Sequence, residues 1–312
     1  MNKCLLVWLL IMTCLGVRAQ PAVSCPPQAS TPTPQQVQAA QAQAKDRGFL
    51  WRVSKDGHTH HLFGTIHVGK LEWAFPGAKL RAALADAQTV AFELDPLDPA
   101  VQSSLRHAGT GSAELPAALG QRLARQIERA CIPAQALAGL HPMMQAMTAM
   151  MVDAARDGLQ VAYGQEFVLA GAARARGLRT VSLETAERQL AALIPADAAQ
   201  AERHLASTLD QMQSGLGRTV LRRMAAAWER GDLQEIEHYE RWCDCVKSDD
   251  DRAMLRALND ERNPEMADRV EALHREGRRL FVAVGALHMT GPKALPALLR
   301  ARGFRVERVE FR

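Results

Sequence analysis

Two short elements end alike and stand almost a whole chain apart: Gly64-Thr65-Ile66-His67 and Gly285-Ala286-Leu287-His288. Each closes a run of apolar, strand-forming residues, "THHLFGTIH" (59–67) and "RLFVAVGALH" (279–288). Any fold that buries both runs must bring the two ends of the chain into one sheet. "FLWRVS" (49–54) precedes the first run across Lys55-Asp56-Gly57-His58. Asp-Gly between two alternating runs predicts a β-hairpin, because the turn needs the positive φ that Gly accepts. "TVAFELD" (89–95), "GLRTVSLE" (177–184) and "FRVERVEF" (304–311) add strands, with an amphipathic helix over 74–87 and another over 292–302. Helical spacing of three and four dominates residues 114–276. The expectation is an α/β fold, a central mixed β-sheet flanked by helices and carrying a large helical insertion.

Three segments are expected along the 312 residues: an export signal over 1–19, a disordered tether over 20–47 and one domain over 48–312. Lys3, the apolar "LLVWLLIMTCLGV" and the small-x-small Val17-Arg18-Ala19 form the signal pattern. The apolar run is shorter than the ~20 residues that span a bilayer. The chain is therefore expected to be periplasmic or secreted, without a transmembrane segment once matured. Cys14 and Cys25 lack the usual Leu-x-Gly/Ala ahead of a lipidated cysteine, so plain export is preferred to lipid anchoring. "QPAVSCPPQASTPTPQQVQAAQAQAKDR" has too few large apolar side chains to offset its ordering entropy. The net charge of +4 falls to +2 once Lys3 and Arg18 leave with the signal, which argues against a nucleic-acid partner. Cys25, Cys131, Cys243 and Cys245 then remain, an even number for an oxidising compartment. Cys131 is expected to bridge to Cys243 or Cys245.

Side chains alternate along a strand, so His67 shares a face with Thr65, Phe63 and His61 while His60 lies opposite. His58 belongs to the turn, and His60 and His61 read as half-buried or surface imidazoles. His67 differs, because it ends a strand, and ligands in α/β sheets gather outside the carboxyl ends of strands. Glu93 in "FELD" and His288 share that position. Two imidazoles and a carboxylate match the ligand set of a divalent metal. The methionines of "HPMMQAMTAMMVDAA" form a stripe that reads as core packing, and the arginines of "LRRMAAAWERG" read as a solvated face.

"FGTIHVG", "VAFELD", "YGQEFVLAGAARARGLRTVSLETAERQL", "ERNPEMADRV" and "FVAVGALHMTGPKALPALLRARGFRVERV" together resemble the TraB/GumN family, related to the TIKI metalloproteases and the PrgY proteins. The resemblance runs from about Phe49 to Arg312 with the five blocks in order. It implies a metal-dependent, peptidase-like site with His67, Glu93 and His288 near the metal, manganese or cobalt ahead of zinc. Tyr163, Glu166, Glu184, Arg262 and Asn263 would add further polar groups. Erythromycin esterases and haem-binding ChaN proteins share the implied fold with other chemistry.

Each added residue also has a plain structural reading. Glu184 could cap or pair with the helix after it, Glu166 and Tyr163 start a helix where a carboxylate is stabilised anyway, and Asn263 before Pro264 could be an N-cap. In the hydrolytic reading a metal on His67, His288 and a carboxylate activates water, Glu93 or Glu184 serves as base, and Arg262 faces the developing charge. Tyr163, Glu166 and Asn263 would contact a peptide or protein substrate. The alternative is a non-catalytic periplasmic binder of a peptide or haem-like ligand. Oligomeric state leaves no mark on the sequence.

Overall fold

The structure, a computed structural model, describes residues 24–111 and 113–311. The expected signal over 1–19 lies outside the described residues. Six strands form one mixed sheet: β1 Phe49–Lys55, β2 His58–Thr65, β3 Thr89–Phe92, β4 Arg179–Ser182, β5 Leu280–Gly285 and β6 Arg305–Val309. Their order is β4-β3-β5-β2-β1-β6. β4, β3, β5 and β2 run parallel, whereas β1 is antiparallel to both β2 and β6. Asp56 (φ 50°) and Gly57 (φ 77°) make the turn between β1 and β2, the conformation that Asp-Gly favours.

β3, β5 and the carboxyl half of β2 are apolar and buried without alternation, the pattern of parallel strands covered on both faces. Leu62, Phe63, Val90, Ala91, Phe92 and Phe281 through Val284 are all buried. That changes the reading of His60, which is 1 % exposed and not at the surface. The backbone N–H of Leu280 donates to His60 Nδ1 (3.1 Å), so Nε2 carries the ring hydrogen and donates to His274 Nδ1 (3.0 Å). His274 Nε2 then faces Asp56 Oδ2 at 3.3 Å. One hydrogen-bonded chain therefore ties β5, β2 and the hairpin turn to helix Asn263–Arg275.

The helical insertion packs a second, smaller core from helices Ala117–Arg129, Pro142–Asp153 and Ala198–Ser214. Leu119, Leu123, Met143, Leu205 and Leu209 meet there, with Met147 packed against them. The methionine stripe is thus core on its Met143 side, as its spacing predicts.

Two expectations need correction. Residues 34–42 of the expected disordered tether form a helix, Pro34–Ala42. A Thr33/Gln36 capping box and Pro34 at its first position start it, devices that composition does not weigh. Downstream, Asp46 accepts from the backbone of Lys79 and Leu80, and buried Arg47 donates to the carbonyls of Lys45 and Glu72. The disulfides are Cys25–Cys131 and Cys243–Cys245, so Cys131 pairs with neither Cys243 nor Cys245. The ordered N-terminal strap carries Cys25 to Cys131, held also by Gln160 Nε2 donating to the carbonyl of Pro27 (3.1 Å). A Cys25 engaged in a disulfide has no thiol to carry a lipid.

Candidate active site

Four parallel strands deliver their carboxyl ends to one rim, and the polar residues singled out above follow them. Thr65 pairs with Gly285 across β2 and β5, and Phe92 pairs with Ala283 and Ser182 across β5 and β4. His67 therefore leaves β2 beside the turn Ala286–Met289 that carries His288, with Glu93 and Glu184 emerging next in line.

The His67 segment is stitched to the chain ahead of helix Gln165–Ala175. Gln165 N donates to the carbonyl of Ile66 (2.9 Å), and Gly69 and Gln160 exchange backbone hydrogen bonds of 2.9 and 2.7 Å. Two glycines permit this approach: a Cβ on Gly164 would lie 2.5 Å from the His67 carbonyl oxygen, and one on Gly69 would lie 2.3 Å from that of Tyr163. Tyr163 thus supports the site through its backbone. The result fixes Glu166 against His67, with Glu166 Oε1 3.1 Å from His67 Nδ1 and also accepting from the Thr65 hydroxyl. The carboxylate raises the His67 pKa to about 9. Burial alone would push the Glu166 carboxyl up, but His67 and the Thr65 hydroxyl hold it below its ordinary value. With its side chain 63 % exposed, His67 is an imidazolium open to solvent at neutral pH.

Behind it lies a buried ionic cluster. Arg262 Nη2 donates to Glu93 Oε2 (2.6 Å) and to Glu184 Oε1, while Nε donates to Glu184 Oε2 (3.0 Å). The three side chains are 5 %, 10 % and 2 % exposed, so the guanidinium supplies the positive charge that two buried carboxylates require. Glu93 Oε1 accepts from the backbone N–H of Gly285 (2.6 Å) and lies 3.5 Å from His288 Nε2. Burial raises the Glu93 carboxyl, yet His288, Arg262 and His67 hold it well below the usual range. Glu184 goes the other way: burial pushes its pKa up and Arg262 only partly opposes this. The two carboxyls are thereby set apart, the usual sign of unlike roles.

Asn263 orients His288. Its Nδ2 donates to the carbonyl of Lys293 (2.8 Å), which leaves Oδ1 to accept from His288 Nδ1 (2.6 Å) and turns Nε2 toward Glu93. Arg262 and Asn263 therefore serve as ionic and positioning groups, and Asn263 is not the plain cap that sequence alone allows. Glu93 and Arg262 also act electrostatically on His67, so pair and cluster form one electrostatic unit.

Comparison with known proteins identifies the family. The model of the TraB/PrgY/gumN family matches residues 49–308. The chain belongs to the TraB/PrgY/gumN family. It is 26 % identical over 260 residues to the uncharacterized protein YbaP of Escherichia coli strain K12, covering 80 % of this chain and 90 % of that protein. It matches the YbaP of Shigella flexneri to the same extent. No solved structure matches significantly.

Within this rim two participants carry no charge and were not singled out from the sequence. Gln189 Nε2 donates to Glu93 Oε2 (3.2 Å) and Glu184 Oε1 (3.3 Å), and Thr65 anchors Glu166. Both stand inside the quoted blocks "ETAERQL" and "FGTIH". Among the described residues, no three His, Cys, Asp or Glu side chains are arranged to hold a metal ion. The reason is visible in the cluster: Glu93 and Glu184 both face Arg262, and Glu166 faces His67. As arranged here, His67, His288 and Glu93 are not a ligand set. A cavity of about 350 Å³ beside Pro27, Cys131 and Leu159 is lined by no charged residue and is separate from this chemistry.

Proposed function

We propose that this TraB-family chain is an exported hydrolase acting on peptide or protein substrates. One observation carries the reading: a solvent-open His67–Glu166 pair stands in front of a buried Glu93–Glu184–Arg262 cluster, all at the carboxyl ends of parallel strands. His67, held protonated, can give its proton to a carbonyl oxygen or a leaving nitrogen. Glu184, pushed up by burial, is better matched than Glu93 to a base working near neutral pH. The Arg262 guanidinium adds fixed positive charge behind the carboxylates.

A divalent cation, manganese or cobalt before zinc, rests on the family resemblance and not on this donor arrangement. Were His67, His288 and Glu93 to act as ligands, Glu93 would offer Oε1, the oxygen that faces His288 and accepts from Gly285 N–H, because Oε2 is held by Arg262. Export is supported by the leader-like first nineteen residues and by two disulfides. No helix among the described residues is long and apolar enough to cross a membrane.

The test is cleavage of a mixed peptide pool by the purified mature protein, with and without chelator, beside measurement of its metal content. His67→Ala should lower turnover by ~10²–10⁴-fold, the usual cost of removing a general acid or base. His60→Ala, changed at the other end of the strand, should leave the chemistry intact. Activity that survives chelation assigns the work to the side chains alone, and activity lost on chelation and restored by manganese or cobalt assigns it to the cation. The carboxylates' full engagement by Arg262 favours one other reading, a peptide- or haem-like-ligand binder. Tight binding of intact peptide or haem without turnover under any metal condition would establish that reading and sink the hydrolase.

A further inference from the structure

Cys243 and Cys245 lie between helix Tyr239–Trp242 and helix Asp249–Leu258, and neither is a residue of the proposed hydrolytic site. They are bonded to each other across a single residue, with Cα atoms 5.0 Å apart. A disulfide that closes so small a loop removes little entropy from the unfolded chain, so it contributes little to holding the fold. Cys25–Cys131 is the opposite case, joining residues 106 positions apart.

The small ring also constrains its own backbone. Asp244, between the two cysteines, sits at φ 52°, the left-handed conformation, which Asp tolerates better than most residues. The two residues are unlike in access: Cys243 is 1 % exposed, whereas Cys245 is only partly covered. The backbone N–H of Cys245 donates to Cys243 Sγ at 3.1 Å. That donor would stabilise negative charge on Cys243 sulfur if the bond were broken.

We propose that Cys243–Cys245 is a thiol–disulfide exchange site that oxidises a dithiol. The incoming thiolate attacks Sγ of Cys245, the more exposed residue of the two, forming a mixed disulfide as the Cys243–Cys245 bond breaks. Cys243 leaves as a thiolate facing the Cys245 N–H. The second thiol of the substrate loses its proton and attacks the substrate sulfur bound to Cys245, which departs as a second thiolate. Two electrons pass from the dithiol to the pair, and the two protons end on Cys243 and Cys245. Exposed disulfides are the more easily reduced ones, while structural disulfides resist.

The experiment titrates the oxidised mature protein with mixtures of reduced and oxidised dithiothreitol. Free thiols are then trapped with an alkylating agent and located by peptide mass spectrometry. Cys243 and Cys245 should be half-reduced at a reduced-to-oxidised ratio at least tenfold below that needed for Cys25 and Cys131. In Cys243→Ser, glutathione disulfide should cap Cys245, while in Cys245→Ser the buried Cys243 should stay uncapped. Reduction of both disulfides together, or of Cys25–Cys131 first, overturns the proposal, as does failure of Cys245 to take the glutathione cap.

Discussion

Histidines stand at both ends of the same parallel strands, and the two ends treat them in opposite ways. At the carboxyl rim His67 meets the carboxylate of Glu166 and is raised to about 9. At the hairpin end His60 is sealed from water among His274, His58 and Phe304, and burial with His274 beside it lowers it to about 4. One imidazole is a cation at neutral pH and the other is a neutral link in a hydrogen-bonded chain. Residue type is common to both, so the partner decides the chemistry: a carboxylate makes an acid, and a second imidazole makes a structural tie. The rim also gathers an arginine and three glutamates around its histidines, where the hairpin-end chain of imidazoles ends on the exposed Asp56.

The largest expected effect comes from removing the charge that organises the rim. Arg262→Met leaves Glu93 and Glu184 buried without their shared cation. Breaking a buried pair by deleting one partner costs roughly 3–5 kcal/mol, to be read from urea unfolding at neutral pH. Glu93→Gln should cost less, since Arg262 keeps Glu184. A loss below about 1 kcal/mol for Arg262→Met would mean that water already serves both carboxylates, contrary to their 10 % and 2 % exposure.

The opposite histidines predict opposite pH slopes. His60, with a folded pKa of about 4 against an ordinary 6.5, contributes its full stability above pH 6.5. Between pH 6.5 and 4 the unfolded chain binds a proton that the folded chain refuses, and on the order of 3 kcal/mol is lost. His67, raised to about 9, contributes fully below pH 6.5, and that contribution disappears as pH rises through 9. Its amplitude is smaller because the side chain is 63 % exposed and screened by solvent. Imidazole NMR should find His60 uncharged from pH 8 to 5 and His67 still protonated at pH 8. A His60 midpoint above 6, or a His67 midpoint below 7, would erase the contrast.

What the sequence disclosed follows from what each feature needs. The strands were legible because a sheet covered on both faces demands unbroken apolar runs, as in "FVAVG". That same coverage defeated the alternation argument for His60, which assumes one wet face. His67, Glu93 and His288 were legible as strand-end polar residues, as was Glu184 at the end of "LRTVSLE" once the family resemblance had singled it out, while Glu166 and Arg262 entered only through that resemblance. Their arrangement was hidden, because whether two glutamates face a metal or an arginine depends on where residue 262 returns to the sheet. The cysteine count was readable and the pairing was not. Cys25 reaches Cys131 by way of a helix whose capping box is local and whose docking is not.

The smallest expected effect tests whether the hairpin-end chain is neutral throughout. Because Leu280 N–H occupies His60 Nδ1, the ring hydrogens run one way, and His274 Nδ1 accepts while Nε2 donates toward Asp56. A neutral donor needs an acceptor oxygen there and has no need of a full negative charge. Asp56→Asn keeps such an oxygen and suits the positive φ of the turn, since Asn tolerates the left-handed region as well as Asp. With Asp56 73 % exposed, losing the charge should cost about 0–1 kcal/mol in equilibrium unfolding at pH 7. A cost above about 2 kcal/mol would show that Asp56 balances an imidazolium on His274. His274 Nδ1 would then carry a hydrogen, His60 Nε2 would have to accept it, and His60 Nδ1–H would clash with the Leu280 N–H. The hydrogen-bond directions inferred here would fail at their first link, and with them the neutral half of the comparison.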